Sequence, residues 1–335
     1  MSRWLRKLAP PAAIVISAVV ALGLVYRAAT IEPFGMDFGV YWRAANEPLA
    51  EVYRPRPALN FPYVPTMLLW IAPLSKVPFW AAYAGWVALS VAAFVRSCRA
   101  HLSKREIGLA LISLPMVYCL LTGQVSAFLT ALLLWACRTP NRIAAGIALA
   151  VIASIKPQLV LLAPLLLLAT RDWRALGSSA LALAVLIAIS LLAYGVGTWE
   201  NWIGSLDHFQ EIIVRNGVLT VMVTPAAAAQ LWGLPPLPFM ALGAAVGVWL
   251  VIHCRNQAPL FQATAIAAGS LLSAPYAVLY DLVAVVPFLA WSIFRGSMVS
   301  ALVISSLVSW SLNSLPLWVA AFRLLREPTD HPRAP

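Results

Sequence analysis

Apolar residues in this chain fall in long unbroken runs, separated by short stretches where prolines, glycines and charged residues collect. The run at 180–193 holds no charge and does not alternate polar with apolar, so it reads as a helix rather than a strand. In hydrocarbon only helices and closed barrels satisfy their own backbone groups. The pattern therefore predicts an all-α polytopic transmembrane bundle of about 10–12 spans, each span needing ~20 residues to cross. The candidate spans lie at 9–26, 78–95, 107–121, 125–136, 143–155, 159–169, 175–194, 238–252, 260–273, 282–293, 298–311 and 315–325. Several fall short of a full crossing, which predicts broken helices, helices buried by neighbours, or paired half-helices.

Composition removes the soluble alternative. Hydrophobic residues make up 62% of the 335 and charged residues 10%, against roughly 25% charged in a soluble domain. Such a fold would have no polar surface to show water. The net charge of +11 does not imply a nucleic-acid partner, because the basic residues sit in small clusters between apolar runs. Under the positive-inside rule, the clusters Arg3/Arg6/Lys7, Arg96/Arg99/Lys104/Arg105, Arg138/Arg142, Arg171/Arg174, Arg255, Arg295 and Arg323/Arg326/Arg333 mark the cytoplasmic side and place both termini there. Most acids, among them Glu32, Asp37, Glu47, Glu51, Glu200, Asp207, Glu211 and Asp281, fall on the outer side. The first run follows Arg3, Arg6 and Lys7 with no small-x-small cleavage site after it, and reads as an uncleaved signal anchor. Cys98, Cys119, Cys137 and Cys254 lie in apolar runs or among basic residues, so free thiols are expected rather than a disulfide framework.

Within one membrane domain spanning 1–335, two outer segments stand out by length. The first, 27–77, contains a helix-like stretch at 37–53 and then Pro55, Pro57, Pro62, Pro65 and Pro73. It reads as juxtamembrane helices whose aromatics Tyr41, Trp42, Tyr53, Phe61, Tyr63 and Trp70 suit the headgroup level. The second, 195–237, reads as a solvated loop with a short Ala-rich stretch.

Candidate chemistry gathers at the outer boundary. Asp37 has two compatible readings, a helix N-cap and a general base whose pKa is set by partial burial. Lys156, between two apolar runs, either snorkels to the interface or contacts an anion. Gln124, in the turn Thr122-Gly123-Gln124, is a polar turn residue or a hydrogen-bonding group for a sugar or phosphate oxygen. Asp281 abuts an apolar run and is expected to pair with a base or hydroxyl. His208 and Arg215 are solvated loop residues or cationic donors to a phosphate. No Walker loop, zinc-like His/Cys spacing, nucleophile elbow or dinucleotide fingerprint occurs, so no metal and no cofactor is expected.

The order Asp37-Phe38 with Tyr41, Phe61-Pro62-Tyr63-Val64-Pro65, Gly123-Gln124, Ile155-Lys156-Pro157, and Pro275-Tyr276 with Tyr280-Asp281 resembles glycosyltransferase family 87, a GT-C-type group that includes mannosyl- and arabinosyltransferases. The resemblance implies an inverting transfer at the outer face of a bacterial plasma membrane. A sugar would pass from a polyprenyl-phosphate donor to a hydroxyl of a lipid or glycan acceptor, by a monomer among membrane lipids. It implies Asp37 as base; beside it, the residues themselves make Lys156, Arg215 and His208 candidate contacts to the donor phosphate, and Tyr41, Tyr63, Gln124, Gln158, Tyr276, Tyr280 and Asp281 candidate substrate-facing groups. The chain carries Tyr276 and no histidine after Pro275, which leaves the sugar and acceptor open. A lipid-linked substrate transporter and a non-catalytic subunit of envelope biosynthesis are the competing readings.

Overall fold

The computed structural model describes residues 3–30, 34–56, 61–305 and 314–326, which leaves Glu32, Pro57, Arg333 and the end of the 298–311 run outside. Among the described residues the chain is helical, with one isolated antiparallel bridge between Met222 and Val278. Four helices are long and apolar enough to cross a membrane: Lys7–Thr30, Phe79–Cys98, Trp173–Tyr194 and Pro236–Cys254. They form the rim, and exposed Val19, Leu22, Leu181, Leu192 and Leu242 present the apolar surface that lipid solvates.

The other predicted spans are shorter or broken, for identifiable reasons. The 107–121 run divides into Lys104–Leu111 and Leu114–Thr122, bent by 57°, where Pro115 lacks the N–H that a continuous helix needs. The 159–169 run becomes a 3-10 turn, Pro157–Leu159, and a seven-residue helix, Ala163–Ala169. The 282–293 run opens in a 3-10 turn, Leu279–Ala284, before Val286–Phe294. Among the described residues, four of the predicted spans, or five if the bent pair counts as one, are long and apolar enough to cross, and the others are short or broken helices.

Three uninterrupted apolar helices, Ser126–Arg138, Arg142–Ile155 and Pro259–Ser273, are only 13 to 15 residues long. At 1.5 Å per residue they rise roughly 20 Å, well short of a hydrocarbon core about 30 Å thick. They are packed inside the rim, and every residue from Ala263 to Ser273 is buried. Close approach to Pro236–Cys254 depends on Gly243, where a Cβ would lie 2.0 Å from the Leu272 carbonyl oxygen. Because the inner helices stop early, each end of the bundle is left with a recess.

The described parts of the two long segments, 27–77 and 195–237, hold more regular structure than their sequence suggests. In the first, Pro48 splits the predicted helix into Met36–Asn46 and Leu49–Val52, and Thr66–Ile71 follows. Tyr41, Tyr53, Phe61 and Tyr63 are turned into the protein and buried together, with ring centroids 5.3–5.7 Å apart for adjacent pairs. The second segment is not a solvated loop: it holds a 20-residue helix, Val196–Arg215. Trp202, Ser205, Phe209 and Ile212 recur on its inward face at helical spacing. Trp202 Nε1 donates to the Pro62 carbonyl at 3.3 Å, tying this helix over the first segment.

Candidate active site

The recess at one end is a cavity of about 270 Å³, near the lower bound of ligand pockets. Its floor is made by residues that cap the short helices, and its wall by the Val196–Arg215 helix through Trp202, Phe209, Ile212 and Ile213.

Two glycines fix the floor. Gly35 adopts φ +72°, starts the Met36–Asn46 helix, and donates its N–H to the Leu121 carbonyl at 2.8 Å. Gly123 adopts φ +77°, and a Cβ there would lie 2.5 Å from the Phe38 Cβ. The Thr122-Gly123-Gln124 turn is thereby held against the helix that carries Asp37. Gly123→Ala is expected to lower stability by at least about 1–2 kcal/mol from the left-handed backbone alone, and to lower activity as Phe38 is displaced. Thermal unfolding in detergent beside a transfer assay measures both; an unchanged midpoint would exclude this role for the turn.

Asp37 lies in the first turn of its helix but does not cap it, because Gly35 occupies the cap position with no side-chain bond. Its carboxyl is half-buried, lines the cavity, and has no ion-pair partner among the described residues. Burial pushes its pKa above the ordinary carboxylate value, while the side chains of Gln124 and Thr122 and the charge of Lys156 act in the opposite sense. Tyr41 follows four residues later and so shares the helix face. Its hydroxyl donates to Gln124 Oε1 at 2.6 Å and lies 2.8 Å from the Tyr63 hydroxyl.

Gln124 Oε1 is a shared acceptor, taking Tyr63 Oη at 3.1 Å and Lys156 Nζ at 3.1 Å as well. Lys156 does not snorkel: it is buried, at the end of Arg142–Ile155 where Pro157 stops the helix. Its ammonium also donates to Ser126 Oγ at 3.0 Å and Asp281 Oδ1 at 2.8 Å, and stands 4.5 Å from the Tyr280 ring centroid. Asp281, equally buried, further accepts from Ser126 Oγ at 2.7 Å and from the Val278 N–H at 3.1 Å. Every donor of the ammonium is thus used, and its charge is balanced by one carboxylate. Tyr280 stacks on Tyr118, Tyr276 meets Phe209 edge-on, and Gln158 completes the lining.

Nine of the eleven residues singled out from sequence surround this cavity; Arg215 and His208 do not. Arg215 is exposed at the far end of its helix, and His208 Nε2 is bonded to the Arg56 carbonyl oxygen at 3.2 Å. A lateral apolar groove of about 470 Å³ adjoins the site, lined by Met67, Trp70, Leu89, Phe128 and Ile147 and sharing Ile155 with the cavity.

The cavity thus offers one uncompensated carboxylate, a neutral cluster of hydroxyl and amide groups, and a buried ion pair, set in a multi-pass membrane protein. Polyhydroxylated substrates suit such a lining, because each sugar hydroxyl both donates and accepts. The chain belongs to glycosyltransferase family 87, whose family model matches residues 61–280. It is accordingly a membrane glycosyltransferase. The match spans Tyr63, Gln124, Lys156, Gln158, Tyr276 and Tyr280, while Asp37 and Tyr41 precede it and Asp281 follows it. No curated protein and no solved structure matches the chain.

Proposed function

We propose that this glycosyltransferase moves a sugar from a polyprenyl-phosphate donor to an acceptor hydroxyl by single displacement, with Asp37 as general base. The observation that carries the reading is that Asp37 has no ion-pair partner in a cavity whose only other lining carboxylate among the described residues, Asp281, is committed to Lys156 and Ser126. A double displacement needs a second free carboxylate as nucleophile, and one base suffices for an inverting attack. Asp37 takes the acceptor proton, the acceptor oxygen bonds to the anomeric carbon, and the C–O bond to the donor phosphate breaks. The polyprenyl phosphate leaves as a stable anion.

The lateral groove supports a lipid-linked donor. It is almost wholly apolar, opens beside the cavity at Ile155, and fits an isoprenoid tail while the phosphosugar occupies the polar end. Gln158 is the lining group free to bond the phosphate, beside the Lys156–Asp281 pair, since Arg215 and His208 are elsewhere. Arginine clusters at the opposite end of the bundle favour an outer location for the cavity. Family membership favours catalysis over the transporter and non-catalytic readings.

Protein reconstituted in liposomes and offered a panel of radiolabelled polyprenyl-phosphate sugars tests the proposal. Transfer from at least one lipid-phosphate sugar, and none from nucleotide sugars, is expected; transfer from a nucleotide sugar alone would overturn it. In the same assay Arg215→Ala is expected to keep kcat/KM within about twofold, as for an exposed residue away from the site. A loss of tenfold or more would return Arg215 to the donor site.

A further inference from the structure

The short inner helices leave a second recess at the opposite end of the bundle. Ser126 bonds Lys156 and Asp281, which line the first cavity, and Arg138, at the other end of the same helix, lines the second, about 18 Å along the axis. The second cavity measures about 1020 Å³ and is bounded by the ends of several helices, including Pro259–Ser273 and Val286–Phe294. Arg138, Arg255, Arg295 and His101 line it, and none of the described lining residues is acidic. Arg295 is balanced by Glu106 at 3.0 Å, but Arg138 and Arg255 have no acidic partner among the described residues. His101 Nε2 and Gln257 Nε2, both on lining residues, are buried without a hydrogen-bond partner. The N-terminal turn of Pro259–Ser273 adds its positive dipole end. The walls between these groups are apolar: Trp135, Leu260, Phe261 and Trp291.

We propose that this cavity is a second ligand site, separate from the transfer site, that binds the phosphate of an anionic phospholipid. Guanidinium groups supply the planar donors that phosphodiesters take. The lipid source is favoured over free phosphate by Trp135, 41% exposed, which lines both this cavity and the lateral apolar groove. A headgroup seated among the arginines can rest an acyl chain against Trp135, at the end of that groove away from Ile155 and the donor tail. Topogenic charge alone explains arginines at this end, but it does not require an acid-free cavity with unpartnered buried nitrogens.

Native mass spectrometry of the full chain in detergent tests the site, with dioleoyl phosphatidylglycerol and dioleoyl phosphatidylcholine as probes. The wild type is expected to retain the anionic lipid about tenfold or more over the zwitterionic one, as for charge-assisted bonds from two guanidiniums. The Arg138→Gln/Arg255→Gln variant is expected to lose that preference. Arg96→Gln/Arg105→Gln, which removes two exposed charges that do not line the cavity, is expected to keep it. Should the first variant fail to fold, Gln257→Glu, which sets an anion in the cavity, is expected to abolish the preference. Equal retention of both lipids overturns the proposal, as does equal loss in the two arginine variants or retained preference in Gln257→Glu. Displacement of the lipid by inorganic phosphate would assign the site to the free anion and overturn the lipid assignment.

Discussion

Asp37→Asn is expected to lower kcat for sugar transfer by about 10²–10⁴-fold, the range that a positioned general base contributes. Asparagine keeps the size and most of the hydrogen bonding of the carboxyl, so helix Met36–Asn46, started by Gly35 rather than capped by Asp37, should form unchanged. Stability and activity are thereby separated: the unfolding midpoint stays and the rate falls. Retained transfer in Asp37→Asn would remove Asp37 from the chemistry.

The same residue predicts a pH profile. A base works only when deprotonated, and burial raises the Asp37 pKa from its ordinary value. Activity should therefore rise with pH through a limb displaced upward from the usual carboxylate midpoint near about 3.9, and level off above it. In Asp37→Asn the residual rate should lose that limb. A wild-type rate independent of pH from the acid side to neutrality would contradict the assignment.

Asp281→Asn is expected to cost about 3–5 kcal/mol of stability, because it leaves the ammonium of Lys156 buried without its counter-charge. The pair is 2.8 Å apart, and both side chains are 2% exposed, so water cannot substitute for the missing partner. Lys156→Met should be similarly costly, since it strands the carboxylate. The double variant Lys156→Met/Asp281→Leu should cost much less than the two single losses added together, as partners that strand one another do not act independently. Reversible denaturation in mixed micelles measures the cycle. Additive losses would mean that the two charges are stabilised separately.

The polar members of the site were legible from sequence for a physical reason. Charged residues pressed against apolar runs are expensive, so Lys156 and Asp281 announce that something compensates them. What compensates them was not legible. Ser126 bridges the pair, yet a single hydroxyl inside an apolar run gives no signal beyond its place two residues after Gln124. The aromatic cluster of the 27–77 segment was visible as composition, but whether its rings face lipid or protein depends on the neighbours that receive them. The Val196–Arg215 helix carried a readable stripe in Trp202, Phe209 and Ile212, obscured by the charged residues of its outer face. Arg215 and His208 shared segment and charge with a plausible anion site, and nothing local separates a residue facing the cavity from one facing away.

Hydropathy by itself determined that the chain is solvated by lipid and built from helices, and Pro115 and Pro157 mark two of the places where those helices break. Both are local properties, set by the solvent around a side chain and by the backbone of a single residue. Tertiary packing alone decided that Lys156 meets Asp281 across 125 residues of sequence, that Gln124 gathers two tyrosines and an ammonium, and that Asp37 is left without a counter-charge. Those outcomes depend on three short helices being enclosed by longer ones, so that their ends meet inside the bundle rather than in water or lipid.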